Sequence, residues 1–325
     1  MLMKAIDLKL GEIKDQLPAR IIQKFSKNAF ANCNRYPSNY FALLSKLAGK
    51  LGVDKEEIVL TNGVDEGIEL IARCFGEKVL VFGPSYFELL DAPKRNGIKC
   101  RVIDCFNGKG YSLKYSNEDL EGVSLIYLCN PNNPFGLLTK KQIVELASKT
   151  KAIIAIDETY IDFDGESAIK SAPNILVLRS FSKGYSMAGF RVGFVVGEKN
   201  LIDTIKTKKL FFNVSSVSVE AALIALDEEK YFGKLITEIK KRKDSFERFL
   251  SEKGFNVIHT NTNNIIIKFS NEIEATKFNN FLKSNSILAN QGDGISTVGL
   301  DNSWIRFSCG TKEQMAEAKK RIEKW

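Results

Sequence analysis

Seven short apolar runs constrain this chain more than anything else in it: Ile58–Leu60, Lys78–Phe82, Cys100–Ile103, Leu125–Cys129, Ala152–Asp157, Ile175–Leu178 and Phe190–Val196. Each has strand length, and the turns after them lead repeatedly into helical spacing, over Val64–Phe75, up to about Asn96 and over Thr139–Lys149. Runs that are apolar on both faces and alternate with helices predict an α/β architecture, a mostly parallel sheet covered on both sides. In such a sheet the functional loops gather at the carboxyl edge of the strands.

Three loops at that edge carry chemistry. After Cys129 comes Asn130-Pro131-Asn132-Asn133-Pro134-Phe135-Gly136, whose prolines and glycine stop either element from continuing and hold side-chain amides in place. The run from Ala152 ends on a carboxylate, Asp157, followed by Glu158-Thr159-Tyr160. The run ending at Leu178 enters Arg179-Ser180-Phe181-Ser182-Lys183, and Arg191 stands eight residues beyond the lysine. A lysine there is either a solvated cation, as most lysines are, or a desolvated amine of lowered pKa that can attack a carbonyl and hold an aldehyde cofactor as a Schiff base. The adjacent hydroxyls, the arginine and the upstream aspartate favour the second reading. The helix after Thr61-Asn62-Gly63 begins Val64-Asp65-Glu66, so its first N–H groups form an anion site, although by position alone Asp65 reads as a plain N-terminal cap.

A length of 325 residues exceeds one compact core and predicts two domains. We expect an N-terminal arm over 1–35, a large domain over 36–229 and a smaller α+β domain over 230–325. In the last of these Phe255–His259, Ile265–Phe269 and Trp304–Ser308 alternate with helices at 272–283 and 311–324. Helical spacing over 40–51 puts Phe41, Leu44, Leu47 and Leu51 on one face, with Gly52 at the C-cap, and an amphipathic stretch from Ile13 to Phe30 packs on something larger. No apolar run reaches the roughly 18 residues of a bilayer span, and the start lacks a signal-peptide core, which predicts a cytoplasmic protein without a membrane partner. The six cysteines form no CxxC pair and read as small buried hydrophobes. With His259 the only histidine, zinc-enzyme sites and histidine triads are poorly supported and no metal is expected. The net charge of +8 comes from lysines interleaved with acids, as in Glu238–Asp244, and no nucleic-acid motif accompanies it. Attraction of anionic substrates is the better use of that excess.

Assembled, these blocks resemble the fold-type-I pyridoxal-phosphate enzymes and, within them, the histidinol-phosphate aminotransferase-like group. The resemblance runs in order over Arg35-Tyr36-Pro37, Asn62 to Glu66, Pro84-Ser85-Tyr86, Asn130 to Gly136, Asp157 to Tyr160, Ser180 to Lys183 and Arg191. It implies a sheet of the seven-stranded type and pyridoxal 5'-phosphate as cofactor. In the family pattern Lys183 forms the Schiff base and then moves protons. Asp157 pairs with the pyridinium nitrogen, Asn133 and Tyr160 bond the ring's phenolate oxygen, and Tyr86 stacks on its face. The phosphate lies against Gly63, Val64 and Asp65 at the helix start, with Ser180, Ser182 and Arg191. Tyr36 reaches the phosphate from a second subunit, which implies a homodimer. Arg306 clamps the substrate carboxylate, and Asn290 falls at a substrate-contacting position. The implied reaction moves an amino group from an amino acid, glutamate first, to a keto acceptor. The runner-up is decarboxylation of a phospho-amino acid, as in the related threonine-phosphate decarboxylases, and a third reading is a non-catalytic relative.

Three departures from the pattern stand out. No Asn-rich segment precedes Arg35-Tyr36-Pro37, so the lid over the substrate differs. Asn290 stands where these enzymes typically carry a phosphate-binding arginine, and a neutral amide supplies no charge-assisted bond. Phe135 replaces a usual threonine, a change the turn should survive.

Overall fold

The computed structural model describes residues 4–31, 33–294 and 299–325. Its strands are β1 (Ile6–Asp7), β2 (Ile58–Thr61), β3 (Lys78–Gly83), β4 (Lys99–Asp104), β5 (Leu125–Cys129), β6 (Ile153–Asp157), β7 (Ile175–Ser180), β8 (Gly193–Val196), β9 (Val257–Ile258), β10 (Asn264–Lys268), β11 (Ile287–Leu288), β12 (Asn290–Gln291) and β13 (Trp304–Ser308). Seven of them form the main sheet in the order β2-β8-β7-β6-β5-β3-β4. β8 runs against both its neighbours while the other pairs are parallel.

Alternation along these strands explains why they read as unbroken apolar runs. Val79, Val81, Tyr127, Ala155, Leu176 and Leu178 enter the core on one face, and Leu80, Phe82, Leu128, Ile154, Ile156 and Val177 enter the core on the other. Both faces are covered, so neither set of positions can be polar. The helices around the sheet follow their local signals. Thr139 caps Lys140–Ser148 by accepting from the Gln142 N–H, with Gln142 reaching back in a capping box. Gly52, in the left-handed conformation at φ +65°, closes Tyr40–Leu51.

That last helix departs from expectation in one place: Leu43 rather than Phe41 joins Leu44 and Leu47 in the core, and Phe41 is exposed. The strand expected over Phe190–Val196 starts only at Gly193, because Ala188–Phe190 form a tight helical turn. Of the cysteines, Cys105, Cys129 and Cys309 are buried and Cys74 and Cys100 half-buried, whereas Cys33 is exposed, so the reading of all six as buried hydrophobes does not extend to it.

A smaller α+β unit follows, a four-stranded antiparallel sheet ordered β12-β13-β10-β9 beneath the helices Glu229–Glu252, Glu272–Ser284 and Lys312–Ile322. The N-terminal segment divides between the two cores, its strand forming a separate two-stranded sheet. β1 pairs in parallel with β11, and Ile6 and Leu8 enter the core of the smaller unit. The helical turns Ala19–Lys24 and Phe25–Ala29 bury Ile21, Phe25 and Ala29 against the core beside β2 and β8. Among the described residues no helix is long and apolar enough to cross a membrane.

Candidate active site

Strand register brings the predicted loops together. Cys129 at the end of β5 lies opposite Asp157 at the end of β6, and Asp157 lies opposite Leu178 in β7, so the loops that follow all open at one edge. β8 runs the other way, so its start, Gly193, pairs with Thr61 at the end of β2. This places Arg191 beside the glycine turn at Gly63. A cavity of about 360 Å³ opens at this edge, within the roughly 300–1,000 Å³ range of small-ligand sites. Val64, Asp65, Tyr86, Asn133, Asp157, Tyr160, Ser180, Ser182, Lys183, Arg191 and Arg306 all line it.

The amine of Lys183 donates to the carbonyl oxygen of Gly11 at 2.7 Å and stands 5.6 Å from the centre of the Tyr160 ring. Burial lowers its pKa to about 8, and the nearby Arg306 guanidinium pushes the same way. Burial moves Asp157 in the opposite sense, up to about 6, while the Thr159 N–H, donating to Oδ1 at 2.9 Å, partly offsets this. The phenol of Tyr160 is raised by burial, with Arg306 opposing. Behind these groups Glu158 is buried against Arg179 at 2.7 Å and accepts from the Ala168 N–H, which ties the end of β6 to that of β7.

At the other end of the cavity Arg191 pairs with Asp65 at 2.8 Å, and Tyr86 donates to the same carboxylate at 3.0 Å. Asp65 is therefore not the helix cap; Asn62 holds that position and makes no side-chain capping bond. Gly63 sits at φ +74°, and a Cβ there would lie 2.5 Å from the Arg191 guanidinium, so backbone and arginine meet only because the residue is glycine. Arg191 is itself in the left-handed region at φ +52°, which is uncommon for a residue with a side chain. Helix-start N–H groups, two serine hydroxyls and a guanidinium thus converge on one end of the cavity, a donor set suited to a phosphate.

Arg306 enters from β13 of the smaller sheet. Its Nη1 is 3.5 Å from Asn133 Oδ1, its Nε is buried without a hydrogen-bond partner among the described residues, and burial lowers its pKa. A desolvated fork of donors with open valence is suited to an anionic substrate group.

Three predicted residues do not line the cavity: Gly63, which sits behind it against the Arg191 guanidinium, and Tyr36 and Asn290, which lie elsewhere. Tyr36 is 76% exposed and stacks on Phe212 with ring centroids 4.3 Å apart, outside the cavity. Asn290 faces Arg306 across the β12–β13 register, but its amide donates to the carbonyl oxygen of Lys9 at 2.9 Å and does not line the cavity. Phe135 is fully buried in an aromatic cluster with Trp304 and Phe106, which accounts for a bulky ring where a threonine was expected.

Sequence reading missed Leu10, Gly11 and Glu12, which wall the cavity, and Asn264, whose amide donates to Asn133 Oδ1 at 3.1 Å. Asn264 carried a usable signal: a polar residue opening the apolar strand Ile265–Ile267 is buried only if it is hydrogen-bonded. Nothing near Gly11 gave one.

Known proteins share the sequence family and the fold. Residues 3–322 match the family model of the class I and II aminotransferases. Histidinol-phosphate aminotransferase 2 of Carboxydothermus hydrogenoformans is 32% identical over 319 residues, covering 89% of this chain and 83% of that protein. The crystal structure of the histidinol-phosphate aminotransferase from Clostridium acetobutylicum superposes with a TM-score of 0.86 at 25% identity, over 98% of both chains. The Sinorhizobium meliloti histidinol-phosphate aminotransferase, solved in complex with pyridoxal-5'-phosphate, shares the fold with a TM-score of 0.84 at 20% identity, over 99% of this chain and 92% of that one. The chain therefore belongs to the class I and II aminotransferases, pyridoxal-phosphate-dependent enzymes, and within them to the relatives of histidinol-phosphate aminotransferase.

Proposed function

We propose that this aminotransferase holds pyridoxal phosphate through Lys183 and passes an amino group from glutamate to a keto acceptor. The observation that carries the reading is the Lys183 amine opening into one cavity with the buried Asp157 carboxylate, the serine hydroxyls and two arginines; burial lowers the amine's pKa to about 8 and raises the carboxyl's to about 6. Once bound, pyridoxal phosphate supplies an electron sink that stabilises negative charge at the substrate Cα.

The residues divide the remaining work. Asp157, costly to ionise in its dry site, regains its charge beside a cationic ring nitrogen and so keeps that nitrogen protonated. Asn133 and Tyr160 hold the ring's oxygen substituent, and Tyr86 covers a ring face. Val64, Asp65, Ser180, Ser182 and Arg191, all lining the cavity, hold the phosphate together with the backbone of Gly63, which packs against the Arg191 guanidinium. Arg306 orients the substrate carboxylate, and the Lys183 amine carries the proton to and from Cα. Tyr36, too far out to serve its own cavity, belongs to that of a second subunit, and the exposed aromatic residues beside it support a homodimer.

The test uses purified protein saturated with pyridoxal phosphate. A visible absorption band should bleach on borohydride treatment and leave the cofactor's mass on the peptide containing Lys183. A tag on any other lysine, or none, rejects the assignment. In a separate, unreduced sample glutamate should convert the bound cofactor to its amine form without releasing carbon dioxide; carbon dioxide release would instead mark the decarboxylase.

A further inference from the structure

Asn264 opens β10 of the smaller sheet, yet it is buried and lines the cavity at the edge of the main one. Both ends of its side chain are engaged. Nδ2 donates to Asn133 Oδ1 at 3.1 Å and to Thr262 Oγ1 at 2.9 Å, and Oδ1 accepts from the Ser308 hydroxyl at 3.5 Å, across the β10–β13 register. A buried amide is costly unless it is bonded in this way, and here the bonds decide how a second amide is turned.

An asparagine amide has an accepting end and a donating end of nearly equal shape, so its neighbours decide which way it faces. Asn133 meets donors on one side: Asn264 Nδ2 and, at 3.5 Å, Arg306 Nη1. A guanidinium has no accepting atom, so the end of Asn133 turned to the smaller sheet is the oxygen. The Nδ2 end is thereby turned away from that sheet.

On the functional reading above, Asn133 holds the ring's oxygen substituent, and only its Nδ2 can donate to an anionic oxygen. We propose that Asn264 is a positioning residue: reaching over from the smaller sheet, it fixes the Asn133 amide with its donor toward the cofactor ring, and so sets the proton affinity of the link between cofactor and Lys183. The proposal rests on that reading and adds a residue to it. A donor on the ring oxygen stabilises negative charge there most when the neighbouring nitrogen of the link is deprotonated, because a protonated nitrogen already offsets that charge. Losing the donor therefore raises the pH at which the link gives up its proton.

A pH titration of the holoenzyme's visible absorbance, with pyridoxal phosphate saturating and no substrate, reads that proton. Asn133→Ala should raise the midpoint by about 1 unit, the scale of one hydrogen bond to a charged group. Asn264→Leu, close in volume and unable to donate, should raise it by about 0.5 to 1 unit, and Asn264→Ala, which adds no bulk, should do the same if the leucine variant does not fold. Introduced on top of Asn133→Ala, either substitution should lose most of its effect, since the two residues act through one bond. A smaller part should persist through Tyr160, whose phenol is raised by burial and eased down by Arg306 and the Asn264 amide. An Asn264 substitution that leaves the midpoint unchanged, or that shifts it as much without Asn133 as with it, overturns the proposal and leaves the residue as a brace of its strand. An Asn133→Ala midpoint equal to the parent's strikes the functional reading itself, and the proposal with it, so the two failures are distinguishable.

Discussion

At the residue scale the site is defined by two groups held away from their ordinary protonation. Asp157 stays protonated in the empty fold up to about pH 6, whereas an unfolded aspartate ionises near its ordinary value of 3.8. The folded state therefore binds more protons between those values, and stability falls as pH rises through the window. In cofactor-free protein Asp157→Asn removes this loss and should be more stable than the parent at pH 7 by on the order of 2–3 kcal/mol, with no gain at pH 3. Chemical denaturation at the two pH values measures it, and equal curves at pH 7 would show that Asp157 is not desolvated. With cofactor bound the same substitution should slow turnover, because an amide cannot hold the ring nitrogen protonated. For Lys183, whose amine loses its proton around pH 8, cofactor uptake by the empty protein should accelerate from pH 6 through pH 8 and level off above about pH 9. Stopped-flow mixing with pyridoxal phosphate reads that profile, and a flat one removes the assigned amine. Lys183→Ala should lose several orders of magnitude in turnover, on the order of 4 kcal/mol or more of barrier.

At the element scale the N-terminal segment is what makes an open sheet edge into an enclosed site. It is fixed by β1–β11 pairing, by Asn290 on Lys9, by Asn263 on Gly11, and by Asp15, which accepts two bonds from Arg242 at 2.8 and 2.9 Å. Gly11 then lies so close to the chemistry that a Cβ there would be 2.9 Å from the Tyr160 hydroxyl and 3.3 Å from the Lys183 amine. Gly11→Ala should accordingly depress kcat and shift the pH dependence of the cofactor absorbance while leaving thermal stability within about 1 kcal/mol. An unchanged kcat would mean that the segment moves aside during turnover. The same element marks where sequence reading stops. Asp157, Ser180 and Lys183 were legible because each ends or follows an apolar run, and a strand end in a parallel sheet has a known address. Gly11 and Glu12 have no local pattern; their position follows from a parallel pairing between Ile6 and Ile287, far apart in sequence, which periodicity cannot register. Asn290 was legible as a missing charge, but its bond to Lys9 was not. Phe41 misled for a related reason: it keeps helical spacing with Leu44 and yet faces outward.

At the scale of the whole molecule that outward face is the remaining problem. Tyr36, Phe41, Leu210, Phe211 and Phe212 are 76, 74, 74, 83 and 49% exposed, and Phe212 stacks on Tyr36 while Phe211 packs edge-on against Phe212. Large aromatic side chains clustered in water mark a surface that another protein covers, and two identical chains can cover such patches reciprocally about a two-fold axis. If the second chain is a copy, this surface and the cofactor site are linked, since covering the patch is also what would bring Tyr36 toward the neighbouring phosphate. Two variants separate the effects. Phe211→Asp, which places a charge at the centre of the patch, should shift the protein from dimer to monomer in sedimentation and weaken cofactor retention together. Tyr36→Phe removes one hydroxyl and leaves the ring stack, so it should keep the dimer and weaken pyridoxal phosphate binding by roughly tenfold, the scale of one hydrogen bond to a charged group. A parent protein that sediments as a monomer yet keeps its cofactor, or a Tyr36→Phe variant that binds it unchanged, would confine the active site to a single chain.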